Sequence, residues 1–265
     1  MPQGGPLHLS ENLKYSILKF MDLSRFHPTR RQIIRTLLQG MGMSPAVLAV
    51  LKNASANSKV PIIPGVQKIV GDVRLNGISA QVGQLVHPGD VCTTGADSEC
   101  IIIIGEHAFL LRERAEIEFY SEYFEEGLNT SLSGRIRIAA GALLAVFGNT
   151  DTTLSTPLAT IGIRGTACYV EVGLEKDYVC LCYGRAELRS KLNPAVGEDL
   201  DTFHHDAPRN FYANPAEHNG LFIEPEEMIN HIDEELILLE SLVGRIPLFG
   251  PEPIKMPGNP IPKQK

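Results

Sequence analysis

Tryptophan is missing from this 265-residue chain, and aromatic residues of all kinds make up only 6% of it. With few large side chains to fill helix seams, and with Val, Ile, Gly and Pro plentiful, the composition suits short strands and turns better than a helical bundle. Also missing is an uncharged run of the ~20 residues that a membrane-spanning helix needs. The stretch Thr36 to Leu51 is shorter and is broken by Gln39, two glycines and Pro45. Lys and Arg do not cluster beyond Arg30-Arg31. Phosphate contacts require grouped positive charge, so nucleic-acid binding is excluded as an expectation. Catalytic spacings are absent as well: Gly141 to Gly148 carries no Walker-type lysine, and neither G-x-S-x-G nor H-E-x-x-H occurs. These absences point to a protein that is not an enzyme.

What remains is a globular composition, 43% hydrophobic, in a chain long enough for one ordinary core with appendages or two small domains. The formal charge of -7 is unevenly spread. Residues 1–56 carry seven Lys or Arg against Glu11 and Asp22, so a basic leader precedes an acidic body.

Within that leader, Ser10 to Arg25 reads as a short amphipathic helix, with Leu13, Ile17, Leu18 and Met21 on one face. Thr29-Arg30-Arg31-Gln32-Ile33-Ile34-Arg35 resembles the twin-arginine export signal, and Ala54-Ser55-Ala56 supplies a small-x-small cleavage pattern. The expected location is therefore periplasmic or otherwise extracytoplasmic, with no membrane span left after cleavage. The alternatives are an anchor through residues 36–51 and a cytoplasmic protein.

Residues 57–65 read as a linker, with Pro61 and Pro64. From residue 66 strand signals recur every eight to twelve positions, predicting a mainly β fold: a compact antiparallel sandwich or jelly roll over 66–190. Asn76-Gly77, His87-Pro88-Gly89-Asp90 and Gly95 to Ser98 mark turns. Ile101 to Ile104 reads as a strand buried on both faces, and Arg135 to Ile138 as one that alternates before the apolar run Ala139 to Phe147. Residues 191–224 are polar and read as loop. Pro225-Glu226-Glu227 opens an expected helix over 225–244, with Ile229, Ile232, Leu236, Leu239 and Val243 on one stripe. Its heptad-like spacing admits either the protein's own sheet or a second copy as cover. Residues 245–265 form a Pro-rich tail.

The most informative stretch is Ser155 to Val172, a sheet-core pattern interrupted at Gly162 and Gly165, with Arg164 expected to tie strands together through a carboxylate. Thr156-Pro157 followed by Ala159-Thr160-Ile161-Gly162-Ile163-Arg164-Gly165-Thr166 resembles the signature of the FecR domain family. Upstream, Gly89-Asp90, Thr94-Gly95 and Ser98 resemble its opening motif, and downstream Tyr178 to Leu188, with Gly184, resembles its closing strand. The resemblance covers residues 66–190. It implies a β-rich, non-catalytic module that binds a protein partner or an extracytoplasmic ligand and relays a signal.

Five cysteines leave alternatives open. With Gly173 to Asp177 as a hairpin loop, Cys168 falls opposite Cys182 and clusters with Cys180; a turn at Ala96 sets Cys92 opposite Cys100. An oxidising compartment would then give disulfides Cys92–Cys100 and Cys168–Cys182, and a reducing one five core thiols. No cofactor is required, but Cys180, Cys182, His204 and His205 together form a candidate metal set. The alternative functions are accordingly a metal-binding protein or metal-dependent enzyme at those residues, and an assembly protein that oligomerises through the C-terminal helix.

Overall fold

The computed structural model describes residues 62–121 and 134–249. The twin-arginine motif at Arg30-Arg31, the stretch 36–51 and most of the Pro-rich tail lie outside the described residues. Among the described residues the fold is mainly β: one large sheet of fourteen strands and one C-terminal helix, without closure into a barrel. Fourteen strands follow in chain order: β1 (Gly65–Val70), β2 (Val73–Leu75), β3 (Ile78–Ser79), β4 (Val91–Thr94), β5 (Glu99–Ile104), β6 (His107–Leu111), β7 (Glu116–Ser121), β8 (Gly134–Val146), β9 (Asp151–Ser155), β10 (Ala159–Val172), β11 (Lys176–Ser190), β12 (Gly197–Thr202), β13 (Ala207–Tyr212) and β14 (Ile223–Pro225). The helix α1 spans Asp233–Leu242. All strand pairings are antiparallel except β8 with β9, so the expected antiparallel sandwich is a mixed sheet. No described helix is long and apolar enough to cross a membrane.

Three strands are long, and each is bent by one glycine in the left-handed region: Gly141 in β8 (φ 70°), Gly165 in β10 (φ 60°) and Gly184 in β11 (φ 90°). At each bend the strand changes partners. β10 pairs with β9 before Gly165 and with β8 after it; β11 pairs with β13 before Gly184 and with β12 from Gly184 onward. A side chain at these positions would meet steric resistance that glycine avoids.

The middle of the sheet is buried on both faces. Ile102, Phe109, Leu143, Val170 and Leu181 enter the main core. Their neighbours Ile103, Leu110, Leu144, Tyr169 and Cys182 face the other way, onto Leu236, Leu239 and Val243 of α1 and its C-terminal edge. Strands covered on both sides read as continuous apolar runs, which is why Ile101 to Ile104 and Ala142 to Phe147 show no alternation.

Two expectations need correction. The polar stretch 191–224 contains β12, β13 and β14; β12 (GEDLDT) is acidic because it pairs with β11 alone and exposes alternate residues. The C-terminal helix begins at Asp233 rather than at residue 225: residues 226–232 form an irregular strap, turned at Asn230 (φ 59°), that leaves Ile229 and Ile232 exposed. The stripe that reaches the sheet is Leu236, Leu239 and Val243.

One buried histidine gives the fold a pH dependence. His107 accepts a hydrogen bond from the Gly148 amide at Nδ1 (3.2 Å), faces the Thr150 hydroxyl through Nε2 (3.2 Å), and is 1% exposed. Burial, with Arg245 nearby, lowers its pKa from 6.5 to about 4. The folded value lies below the unfolded one, so its stabilising contribution is complete above pH 6.5 and is lost as the pH falls towards 4. At about 1.4 kcal/mol per pH unit, the loss is on the order of 3 kcal/mol. Urea denaturation of wild type and His107→Gln at pH 7 and pH 4.5 should show a smaller acid-induced drop in the variant; equal drops would remove His107 as the cause.

Candidate metal centre

Strand geometry places Cys180 and Cys182, two residues apart on β11, on the same face of the sheet. A third group comes from the turn between β12 and β13, where His205 takes a left-handed conformation (φ 50°) and donates its amide to the Cys182 carbonyl at 2.9 Å. The fourth, His231, comes from the strap, and its ring stacks on Tyr169 with centroids 4.7 Å apart. The four donor atoms all lie within 4.8 Å of one another.

The separations inside this cluster are Cys180 Sγ to His205 Nδ1, 3.5 Å; Cys182 Sγ to His231 Nε2, 3.5 Å; and His205 Nδ1 to His231 Nε2, 3.1 Å. Around a tetrahedral zinc with Zn–S near 2.3 Å and Zn–N near 2.05 Å, a sulfur–nitrogen edge is about 3.5 Å and a nitrogen–nitrogen edge about 3.3 Å. The protein therefore presents ligand edges of the right lengths.

Outer contacts fix which nitrogen of each ring faces inward. His231 Nδ1 lies 2.6 Å from the Ile229 carbonyl, which can only accept, so Nδ1 carries the proton and Nε2 the lone pair. His205 Nε2 lies 3.0 Å from an Asp233 carboxylate oxygen, which leaves Nδ1 as its inward lone pair. Two such lone pairs 3.1 Å apart repel each other unless a proton or a metal cation lies between them. Asp233 is held below the usual carboxylate range: burial opposes ionisation, but hydrogen bonds from His204 and His205 outweigh it.

The thiols add negative charge to the same point. The hydrogen bond from Cys182 pulls the Cys180 pKa down against the cost of burial, aided by His205 and His231, while burial and the Cys180 charge push Cys182 up. A divalent cation with two thiolates and two neutral imidazoles is neutral overall, which makes complete burial affordable. Both cysteines have no exposed surface, and the His231 residue is 3% exposed.

Cys180, His205 and Asp233 also line up as a thiol–imidazole–carboxylate relay. A nucleophile must meet its substrate, however, and a sulfur in a residue with no exposed surface does not.

Of the sequence-predicted set, the structure brings together Cys180, Cys182 and His205. His204 points elsewhere: its Nε2 lies 2.9 Å from Asp233, outside the four donors, and its ring contacts Phe249. His231 was missed, since a helix drawn over 225–244 gave it no reason to face the sheet. Its signal was the incomplete donor set left by Cys180, Cys182 and the His204-His205 pair.

The other cysteines follow a different register. Val172 pairs with Asp177 across Gly173 to Lys176, one residue fewer than expected, so Cys168 pairs with Leu181. A one-residue shift turns a side chain to the opposite face. Cys168 consequently enters the main core, away from Cys180 and Cys182, and cannot bridge Cys182. Cys92 on β4 and Cys100 on β5 lie on strands that do not pair with each other, and both are buried in the main core; all five cysteines are free.

The FecR-like positions serve turns and bends. Asp90 accepts from the His87 amide and the Asn76 side chain, both at 2.7 Å; Gly89 has φ 92°. Thr94 Oγ1 accepts from the Ala115 amide (2.8 Å), Ser98 Oγ from the Asp72 amide (2.9 Å), and the Gly95 amide donates to the Asp72 carbonyl. Thr156 Oγ1 accepts from the Ala159 amide (2.8 Å) around exposed Pro157, while Ile161 and Thr166 are buried. Arg164 is exposed rather than set among apolar residues: it bonds Asn149 and lies 3.6 Å from Asp151, at a groove also lined by Glu187 and Asp199. None of these residues touches the four-donor cluster.

No protein-family model matches the chain, and no curated protein does. Two crystal structures of a "putative anti-sigma factor" from Parabacteroides distasonis ATCC 8503 are similar in part, each with 12% identity and a TM-score of 0.40 over 52% of this chain. The aligned region spans 60% of that protein's chain.

Proposed function

We propose that the protein is a non-catalytic metal-binding β module that holds one zinc-class ion through Cys180, Cys182, His205 and His231. The observation that carries this reading is the match between the three measured donor separations and the edges of a coordination tetrahedron. Two sulfur and two nitrogen donors favour zinc among the common divalent ions, and four protein ligands leave no open position for a substrate or an activated water. The ion's part is then to shape the protein. Function falls to the surfaces so held, in keeping with a binding or signal-relay role.

Elemental analysis of the purified full chain, before and after reconstitution, should give one zinc per chain. Cobalt replacement should produce the visible bands of a tetrahedral centre together with thiolate-to-cobalt charge transfer. Absence of stoichiometric metal after reconstitution would overturn the proposal.

A further inference from the structure

The four donors do not belong to one piece of the fold. Cys180 and Cys182 sit on a central strand, and His205 is fixed to it through the Cys182 carbonyl. His231 alone comes from the strap of residues 226–232 that leads into α1. Asp233, which orients His205, is the first residue of the helix itself. These two contacts to the site, one from the strap and one from the helix, thus flank Ile232, the N-cap of α1.

That helix has little reason to exist alone. It is ten residues long, below the ~12–15 at which isolated helices become even marginal in water. Ile232 at its N-cap has no side-chain acceptor, so only the bond from its amide to Glu235 (3.2 Å) remains of a capping arrangement. What holds it is the sheet face beneath: Leu236, Leu238, Leu239, Leu242 and Val243 are buried against Tyr169, Leu110 and Leu144.

We infer that the ion is a clasp: by joining His231 to Cys180, Cys182 and His205 it locks the strap and α1 onto the sheet, and its loss frees them. The inference rests on the metal-binding reading above. Other contacts also hold the strap and α1: Tyr178 to the Glu227 carbonyl (3.0 Å) and Asn230 to Glu171 (2.8 Å) on the strap, and Arg112 to Glu235 (2.6 Å) on the helix. These keep the donors close enough for the ion to enter. The ion adds a contact that opening of the strap must break, so metal availability sets how often the apolar sheet face under α1 is uncovered.

Hydrogen exchange of the full chain, metal-free and with zinc, tests this directly. If opening of the strap expels the ion, free zinc at one hundred times its dissociation constant slows exchange of amides in 233–242 about 100-fold. The remote hairpin Val73 to Ser79 serves as the control and should not change. His231→Gln, saturated with zinc through its three remaining donors, should lose the slowing over 233–242. Should that variant not fold, the wild-type comparison decides alone. No zinc uptake by the wild type sinks the metal reading; zinc uptake with unchanged exchange over 233–242 sinks the clasp and leaves the metal reading standing.

Discussion

In the Cys180→Ser, Cys182→Ser double variant, zinc no longer raises the melting temperature, whereas in the wild type it raises it by about 8–16 °C. The magnitude follows from linkage. A ligand at a thousand times its dissociation constant stabilises the folded state by about 4 kcal/mol. For a folded body of this size, each kcal/mol moves the midpoint by about 2–4 °C. Serine is nearly isosteric with cysteine but does not ionise in this range, so it removes both anionic ligands and the neutrality of the filled site. Buried hydroxyls carry a cost of their own, and for that reason the quantity to compare is the zinc-dependent increment in each protein, not the absolute midpoint. Differential scanning calorimetry with and without zinc measures it. An equal increment in both proteins would place the ion elsewhere on the chain.

The second large effect is expected at a bend. Gly141→Ala should cost about 2–5 kcal/mol in urea denaturation and Gly165→Ala only about 1–2. Both glycines have positive φ, which costs an L-residue roughly 1–2 kcal/mol. They differ in what surrounds them. A Cβ on Gly141 would lie 2.5 Å from the Ala115 Cα and 2.6 Å from the Ala115 amide nitrogen, and a paired backbone cannot step aside. Forced overpacking of this kind adds about 1–3 kcal/mol. A Cβ on Gly165 would meet only Asn149 Oδ1 at 3.8 Å. Equal costs at the two sites would show that conformation alone, and not the approach of β8 to Ala115, decides them. The comparison also ranks the glycine of the RGT stretch below one that no motif marks.

Much of the β body was legible because local chemistry and tertiary placement agreed. Asn76 and Gly77 both adopt positive φ, as a two-residue hairpin turn requires, and the unbroken apolar runs at Ile101 and Ala142 lie where both sheet faces are covered. Failures came where a small local choice had a long reach. The four residues Gly173 to Lys176 between paired Val172 and Asp177, one fewer than expected, shifted the hairpin register and sent Cys168 to the other side of the sheet from Cys180. The acidic strand β12 has the composition of a loop because most of its side chains meet water. Heptad spacing from Ile229 to Val243 is real, but Ile229 and Ile232 precede the helix, and drawing them into it hid His231. The donor pair on β11 was visible as C-x-C, whereas the fourth donor depends on where an irregular strap happens to run.

The three bent strands also govern the order in which the protein can be assembled. β8, β10 and β11 each contribute to pairings on either side of their glycines, and β8 joins β6 and β7, made earlier, to β10, made later. As the chain leaves the ribosome, β6 and β7 therefore wait for residues 134–146, and these in turn wait for 167–172. Pairings this distant in sequence close slowly, typically in milliseconds to seconds. Until β10 arrives, the apolar edge of β8 over residues 141–146 stays open on the nascent chain, and that interval is when it most needs shielding from its neighbours.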